Sequence, residues 1–179
     1  RAALRASAYG PLQIMFPMVG SLEDIRKAKE YLNLAKEQLK ERKQQFDEQI
    51  RIGIMIEIPA IALIADLAAE EVDFASIGSN DLTQYLSAAD RMNPEVAAYY
   101  KSDSTAMLRL LGFVFREFSK REKEISVCGE MAGNPETAQL LVGLGARKLS
   151  MSSGNIAGVK AKLAECTLQE LTALAEKKL

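Results

Sequence analysis

Five short stretches of nearly unbroken apolar character, each followed by polar or helical sequence, dictate most of what this chain can become. They are LQIMFPM (12–18), IGIMIE (52–57), VDFASIG (72–78), ISVCGE (125–130) and KLSMS (148–152). A strand with one face in water alternates apolar and polar residues, whereas a parallel strand covered on both faces does not. The intervening segments read as helices. Ser21, with Asp24 three residues on, marks the start of a helix over 21–45 whose stripe is Ile25, Ala28, Leu32, Ala35 and Leu39. Asn134-Pro135 opens another that ends near Gly143 and Gly145. Thr167 and Glu170 form a capping box for a helix over 168–178.

Strand–helix alternation predicts a parallel sheet, either open and doubly wound or part of a (β/α)8 barrel. An open nucleotide-binding sheet usually carries a glycine-rich turn after its first strand; here that turn is VGSLED. Chemically capable residues instead recur where strand after strand ends: Glu57, Asn80-Asp81, Cys128 and Glu130, and Ser152-Ser153. Barrel active sites are built at that end of the strands. A full barrel runs to about 250 residues, against 179 here. The expectation is one domain over 1–179, the C-terminal five β/α units of a (β/α)8 barrel truncated at its N-terminus.

Composition removes several function classes. Lys and Arg number 23 against 24 acidic residues, a net charge of −1, which does not suit a nucleic-acid binder. No apolar run approaches the roughly 18 residues of a membrane span, and the opening RAALRASAYG has no h-region. Two cysteines, Cys128 and Cys166, form no disulfide framework, so a reducing cytoplasm is expected. Without histidine, zinc has no four-ligand set.

Glu57 and Asp81 end consecutive strands, so two hard oxygen donors share a rim and suit Mg²⁺ or Mn²⁺ holding an anionic substrate. Alternatively, each caps the helix that follows. The turn Gly78-Ser79-Asn80-Asp81 offers backbone N–H groups to an anion, and Arg91 is the nearest cation. Cys128 is either an inert buried thiol or a proton donor, because no histidine base exists to make it a nucleophile. Cys166 reads as structural.

IMFPM (14–18), E-x-P-A at 57–60, FASIGSNDLTQY (74–85), Asp90-Arg91, CGEMAG (128–133) and LSMS (149–152) together resemble the phosphoenolpyruvate-binding barrel of enzyme I of the bacterial sugar phosphotransferase system. That family also includes pyruvate phosphate dikinase and phosphoenolpyruvate synthase. The resemblance implies transfer of the phosphoryl group of phosphoenolpyruvate to a histidine, releasing pyruvate. It implies Mg²⁺ on Glu57 and Asp81, substrate held by Asn80, Asp81 and Arg91, and Cys128 protonating C3 with Glu130 tuning it. It further implies a homodimer, a histidine-bearing domain and a phosphocarrier protein as partners. The acceptor histidine and the family's other phosphate-binding arginines have no counterpart here, and Met92 stands where the family has glycine. A fragment of the synthase or dikinase, or a non-catalytic dimerising or sensing module, is the alternative.

Overall fold

The computed structural model describes all 179 residues. Along the chain run α1 (Ala2–Ala6), β1 (Gln13–Phe16), α2 (Leu22–Glu41), β2 (Arg51–Ile56), α3 (Pro59–Leu63), α4 (Ala65–Glu71), β3 (Phe74–Gly78) and α5 (Ser79–Ser87). A 3₁₀ helix (Pro94–Tyr99) follows, then α6 (Thr105–Lys120), β4 (Glu124–Cys128), α7 (Glu130–Gly133), α8 (Pro135–Gly143), α9 (Ser153–Ala164) and α10 (Leu168–Lys178). No helix is long and apolar enough to cross a membrane.

The four strands form one sheet in chain order, β1-β2-β3-β4, and every pair is parallel. The order never reverses, so the sheet lacks the switch point of a doubly wound fold. Strand side chains alternate between two faces. Ile54, Ile56, Ala75, Ile77 and Val127 are buried with the helical residues Ile61, Leu108, Leu111, Phe115 and Phe118 in a core of 26 residues. On the other face Met15, Met55, Ser76, Ser126 and Cys128 line a groove of about 540 Å³. A smaller cluster of Leu4, Leu32, Leu39 and Ile50 closes the end near α1.

The helix starts follow their sequence signals. Ser21 Oγ accepts from the Asp24 N–H at 3.1 Å, although Asp24 reaches back to Gly20 N–H rather than to Ser21. Asn134 Oδ1 caps α8, and the Thr167–Glu170 box is complete.

Three expectations need correction. The helix expected over 21–45 stops at Glu41, because Lys43 turns left-handed (φ 53) and the Gln44 N–H closes back on Leu39 C=O. The strand expected over 148–152 is one bridge, Val127 to Leu149. Val127 exchanges hydrogen bonds with Lys148 C=O and Ser150 N–H, and with no further strand beyond it the segment pairs only there. The strand expected to carry Glu130 ends at Cys128; Glu130 begins α7 instead, because Gly129 (φ 100) breaks the extended backbone.

Candidate active site

The C-terminal ends of β2, β3 and β4 make one rim. Ile56, Ile77 and Val127 are aligned across it, and one residue further Gly78 pairs with Cys128. Glu57 stands on the other side of Gly78: a Cβ built there would lie 2.9 Å from Glu57 Oε2 and 3.0 Å from Glu57 Cβ. Only glycine fits. Because adjacent strands are about 4.8 Å apart, carboxylate and thiol stand about 10 Å apart along the rim, with no side chain between them.

Glu57 is 6% exposed. Its Oε1 accepts the Met18 N–H at 2.7 Å, which fixes the turn after β1 against β2. It does not cap α3, whose cap residue Ile58 makes no side-chain bond. Asp81 is likewise no cap, because α5 begins two residues earlier at Ser79, behind Gly78. Asp81 Oδ1 faces Arg91 Nη1 at 3.5 Å. The Arg91 backbone N–H is tied to Gln84 Oε1 at 3.1 Å.

The start of α5 is stitched to the turn after β4. Ser79 Oγ donates to Cys128 C=O at 2.7 Å, and Glu130 N–H donates to Asn80 Oδ1 at 3.0 Å. With its oxygen occupied, the Asn80 amide is left with its NH₂ donors for another partner. The stitch needs glycine at 129: a Cβ there would meet Ser79 Oγ at 2.5 Å and Asn80 Oδ1 at 2.8 Å. The Cys128 thiol donates to Ile77 C=O at 3.4 Å and touches Met55 Sδ at 3.9 Å.

The sequence-derived residues Glu57, Asn80, Asp81, Arg91, Cys128 and Glu130 are thus linked through the three strand ends. Ser152 and Ser153 open α9 without side-chain bonds to the rim. Cys166 lies past α9, where Gln139 Nε2 approaches its sulfur at 3.2 Å. Two participants escaped the sequence reading. Met18 contributes only a backbone donor, which no side-chain pattern reveals. Tyr100 donates its hydroxyl to Asn80 C=O at 3.1 Å. Burial, then the Glu130 carboxylate, pushes the Tyr100 phenol above its ordinary value, so it stays a neutral donor.

Nowhere do three or more His, Cys, Asp or Glu side chains form a metal cluster. The set available is Glu57, whose Oε2 is not used by Met18, and Asp81. Two carboxylates with the remaining positions left to substrate and water match how Mg²⁺ is held beside a phosphorylated ligand. The donor set therefore fits a hard divalent cation that shares its coordination with substrate.

Residues 1–168 match the family model described as "PEP-utilising enzyme, PEP-binding domain". Multiphosphoryl transfer protein 2 of Escherichia coli is 46% identical over 170 residues, 95% of this chain but 20% of that protein. The phosphoenolpyruvate-protein phosphotransferase of Bacillus subtilis is 44% identical over 177 residues, covering 99% of this chain and 31% of that protein. That of Priestia megaterium is 44% identical, over 96% of this chain and 30% of its own length. The chain therefore spans a fifth to a third of the length of these relatives. Among solved structures, an HpcH/HpaI aldolase from Desulfitobacterium hafniense superimposes with TM-score 0.55 at 16% identity, over 92% of this chain and 67% of the aldolase. The citrate synthase SbnG gives 0.54 at 16% identity, over 92% of this chain and 66% of that one. At such identity the likeness is one of fold, a parallel, TIM-barrel-like α/β architecture.

Proposed function

The chain belongs to the phosphoenolpyruvate-utilising enzymes, matching their phosphoenolpyruvate-binding domain over residues 1–168, and from that membership we propose that it is the catalytic portion of a phosphoenolpyruvate-protein phosphotransferase of the enzyme I type. In this reading the four strands, with the bridged segment at Leu149 standing for a fifth, are the C-terminal five-unit portion of a (β/α)8 barrel, and residues 1–179 form one partial barrel domain. The phosphoryl group passes to a histidine on another domain, and then to a phosphocarrier protein. A homodimer in the cytoplasm is the expected setting.

The observation that carries the reading is the row Glu57, Gly78, Cys128 across three adjacent strands. It leaves a gap floored by glycine between a carboxylate and a thiol. Asn80 and Arg91 stand at the same end and supply donors for the phosphate and carboxylate of the substrate. Glu57 and Asp81 would hold Mg²⁺, which when bound neutralises charge on the phosphoryl and enolate oxygens. As the phosphorus–oxygen bond breaks, the electron pair stays on the enolate oxygen and then serves C3 as a nucleophile. Cys128 lends its proton to C3, giving pyruvate, and the thiolate recovers a proton from water. Glu130, two residues further along, would orient Cys128 or tune its proton. Cys128 needs no histidine for this role, because it acts as an acid toward carbon and not as a nucleophile.

The test is Asp81→Ala in the complete enzyme, with its histidine-bearing domain and the phosphocarrier protein present. Phosphoenolpyruvate consumption at limiting Mg²⁺ should fall by about 10²-fold or more, the scale of a lost transition-state charge contact, with the circular dichroism spectrum unchanged. Near-normal turnover would overturn the assignment.

A further inference from the structure

Between Ala89 and Met107 no residue is buried, so the segment carrying Arg91 has no anchor in the core. It is held at one end by the Arg91 contacts to Gln84 and Asp81. At the other end Asp103 pairs with Lys178 at 3.7 Å, and the Thr105 hydroxyl bonds to Lys178 C=O. One side chain fastens the middle to the rim. The hydroxyl of Tyr100, half-buried among exposed neighbours, donates at 3.1 Å to the carbonyl of Asn80 in the first turn of α5. The same hydroxyl lies beside the Arg91 guanidinium, within the field of Glu130 and Asp81.

We propose that Tyr100 is a positioning residue for the anionic substrate: its hydroxyl latches the segment after α5 to Asn80 and so fixes the Arg91 guanidinium beside Asp81. This rests on reading the rim as a phosphoenolpyruvate site. An arginine on an unanchored segment has many rotamers to lose when it meets an anion. A segment latched on both sides of the guanidinium has surrendered much of that freedom beforehand, and preorganisation of this kind appears in binding more than in chemistry. The bond must come from the hydroxyl. The phenyl ring alone fills the same space but gives Asn80 no donor, and its carbonyl can accept a second bond beyond that of its own helix.

Tyr100→Phe in the complete enzyme, with its histidine-bearing domain and the phosphocarrier protein present, is the test, with KM for phosphoenolpyruvate and kcat measured separately in the presence of Mg²⁺. The loss of one such hydrogen bond should raise KM by about five- to tenfold and leave kcat within about twofold. Because Tyr100 acts through Arg91, the same change in an Arg91→Ala background should have no further effect on KM. An unchanged KM in Tyr100→Phe, or additive effects in the double variant, would overturn the proposal while the wild type still turns over. A complete wild-type enzyme that consumes no phosphoenolpyruvate with Mg²⁺ and phosphocarrier protein fails the underlying reading of the rim, and the role of Tyr100 falls with it. Thermal melts of the variants separate these outcomes from unfolding, since Phe preserves the packing of the ring.

Discussion

Cys128 has a hydrogen-bond acceptor in the Ile77 carbonyl and no basic partner, so losing the thiol should cost a proton and not a nucleophile. Cys128→Ala in the complete enzyme, with its histidine-bearing domain, is therefore expected to keep part of its phosphoryl transfer. Release of pyruvate should slow by about 10²-fold, the lower range for a missing general acid. Protonation of C3 should also lose its facial selectivity. Turnover of C3-labelled phosphoenolpyruvate in D₂O, with the chirality of the product methyl analysed, reads this directly; unchanged chirality would exclude the thiol as donor. Cys128 and Glu57 were legible in sequence because each ends an apolar run, and Asn80 and Asp81 because they follow one directly, in the first turn of α5; the end of a parallel strand is a fixed address. Tyr100 was not. It sits in an exposed, aperiodic segment, next to Tyr99, which is 71% exposed, and its partner is a backbone carbonyl that no residue pattern encodes. The same holds for the Met18 N–H that anchors Glu57.

Among the elements, helix starts were readable and helix ends less so. Ser21, Asn134 and Thr167 announce themselves through side-chain caps, but α2 ends on a left-handed Lys43 where sequence reasoning looks for glycine. The fifth strand was misread for a related reason: KLSMS has strand-like residues, but pairing depends on neighbours, and only Val127 offers both a donor and an acceptor there. Contacts between elements bear on pH. Glu71, at the end of α4, bonds Lys29 and Arg26 of α2 at 2.9 and 3.0 Å. Lys29 first, then Arg26, holds its carboxyl below the ordinary 4.5. A carboxylate lowered in the folded state stabilises the fold above its unfolded value, and that stability drains away as pH falls through the folded value. Glu71→Gln should therefore lower Tm at pH 7 by about 1–3 °C, and the difference should close as the pH is taken well below 4.5. Melts followed by circular dichroism at neutral and acid pH decide it. A gap of the same size at both would mean that packing, and not charge, joins the two helices there.

For the whole molecule, the sheet has a free margin at β1, a β4 margin covered only by the Val127–Leu149 bridge, and one face that is a groove, so the rim is open on the side of β1. Among its carboxylates only Asp81 has a cationic partner, Arg91, whereas phosphoenolpyruvate carries close to three negative charges. Each charge-assisted bond not made forfeits about 1.5–3 kcal/mol, or roughly tenfold in affinity per 1.4 kcal/mol. The 179-residue chain by itself should accordingly bind phosphoenolpyruvate with Mg²⁺ only weakly in calorimetric titration. Micromolar affinity would mean that the rim as it stands is sufficient. The chain-order arrangement of the strands has a separate consequence, for how the molecule comes into being. Each strand pairs only with those next to it in sequence, so β1 and β2 can dock as soon as α2 and β2 have left the ribosome. β3 then adds to a finished edge, with no need to insert between strands already paired. Assembly can keep pace with translation from the N-terminus. The slowest closure is expected across the longest connection, from Gly78 to Glu124, because loop-closure entropy grows with the length of chain that must be ordered.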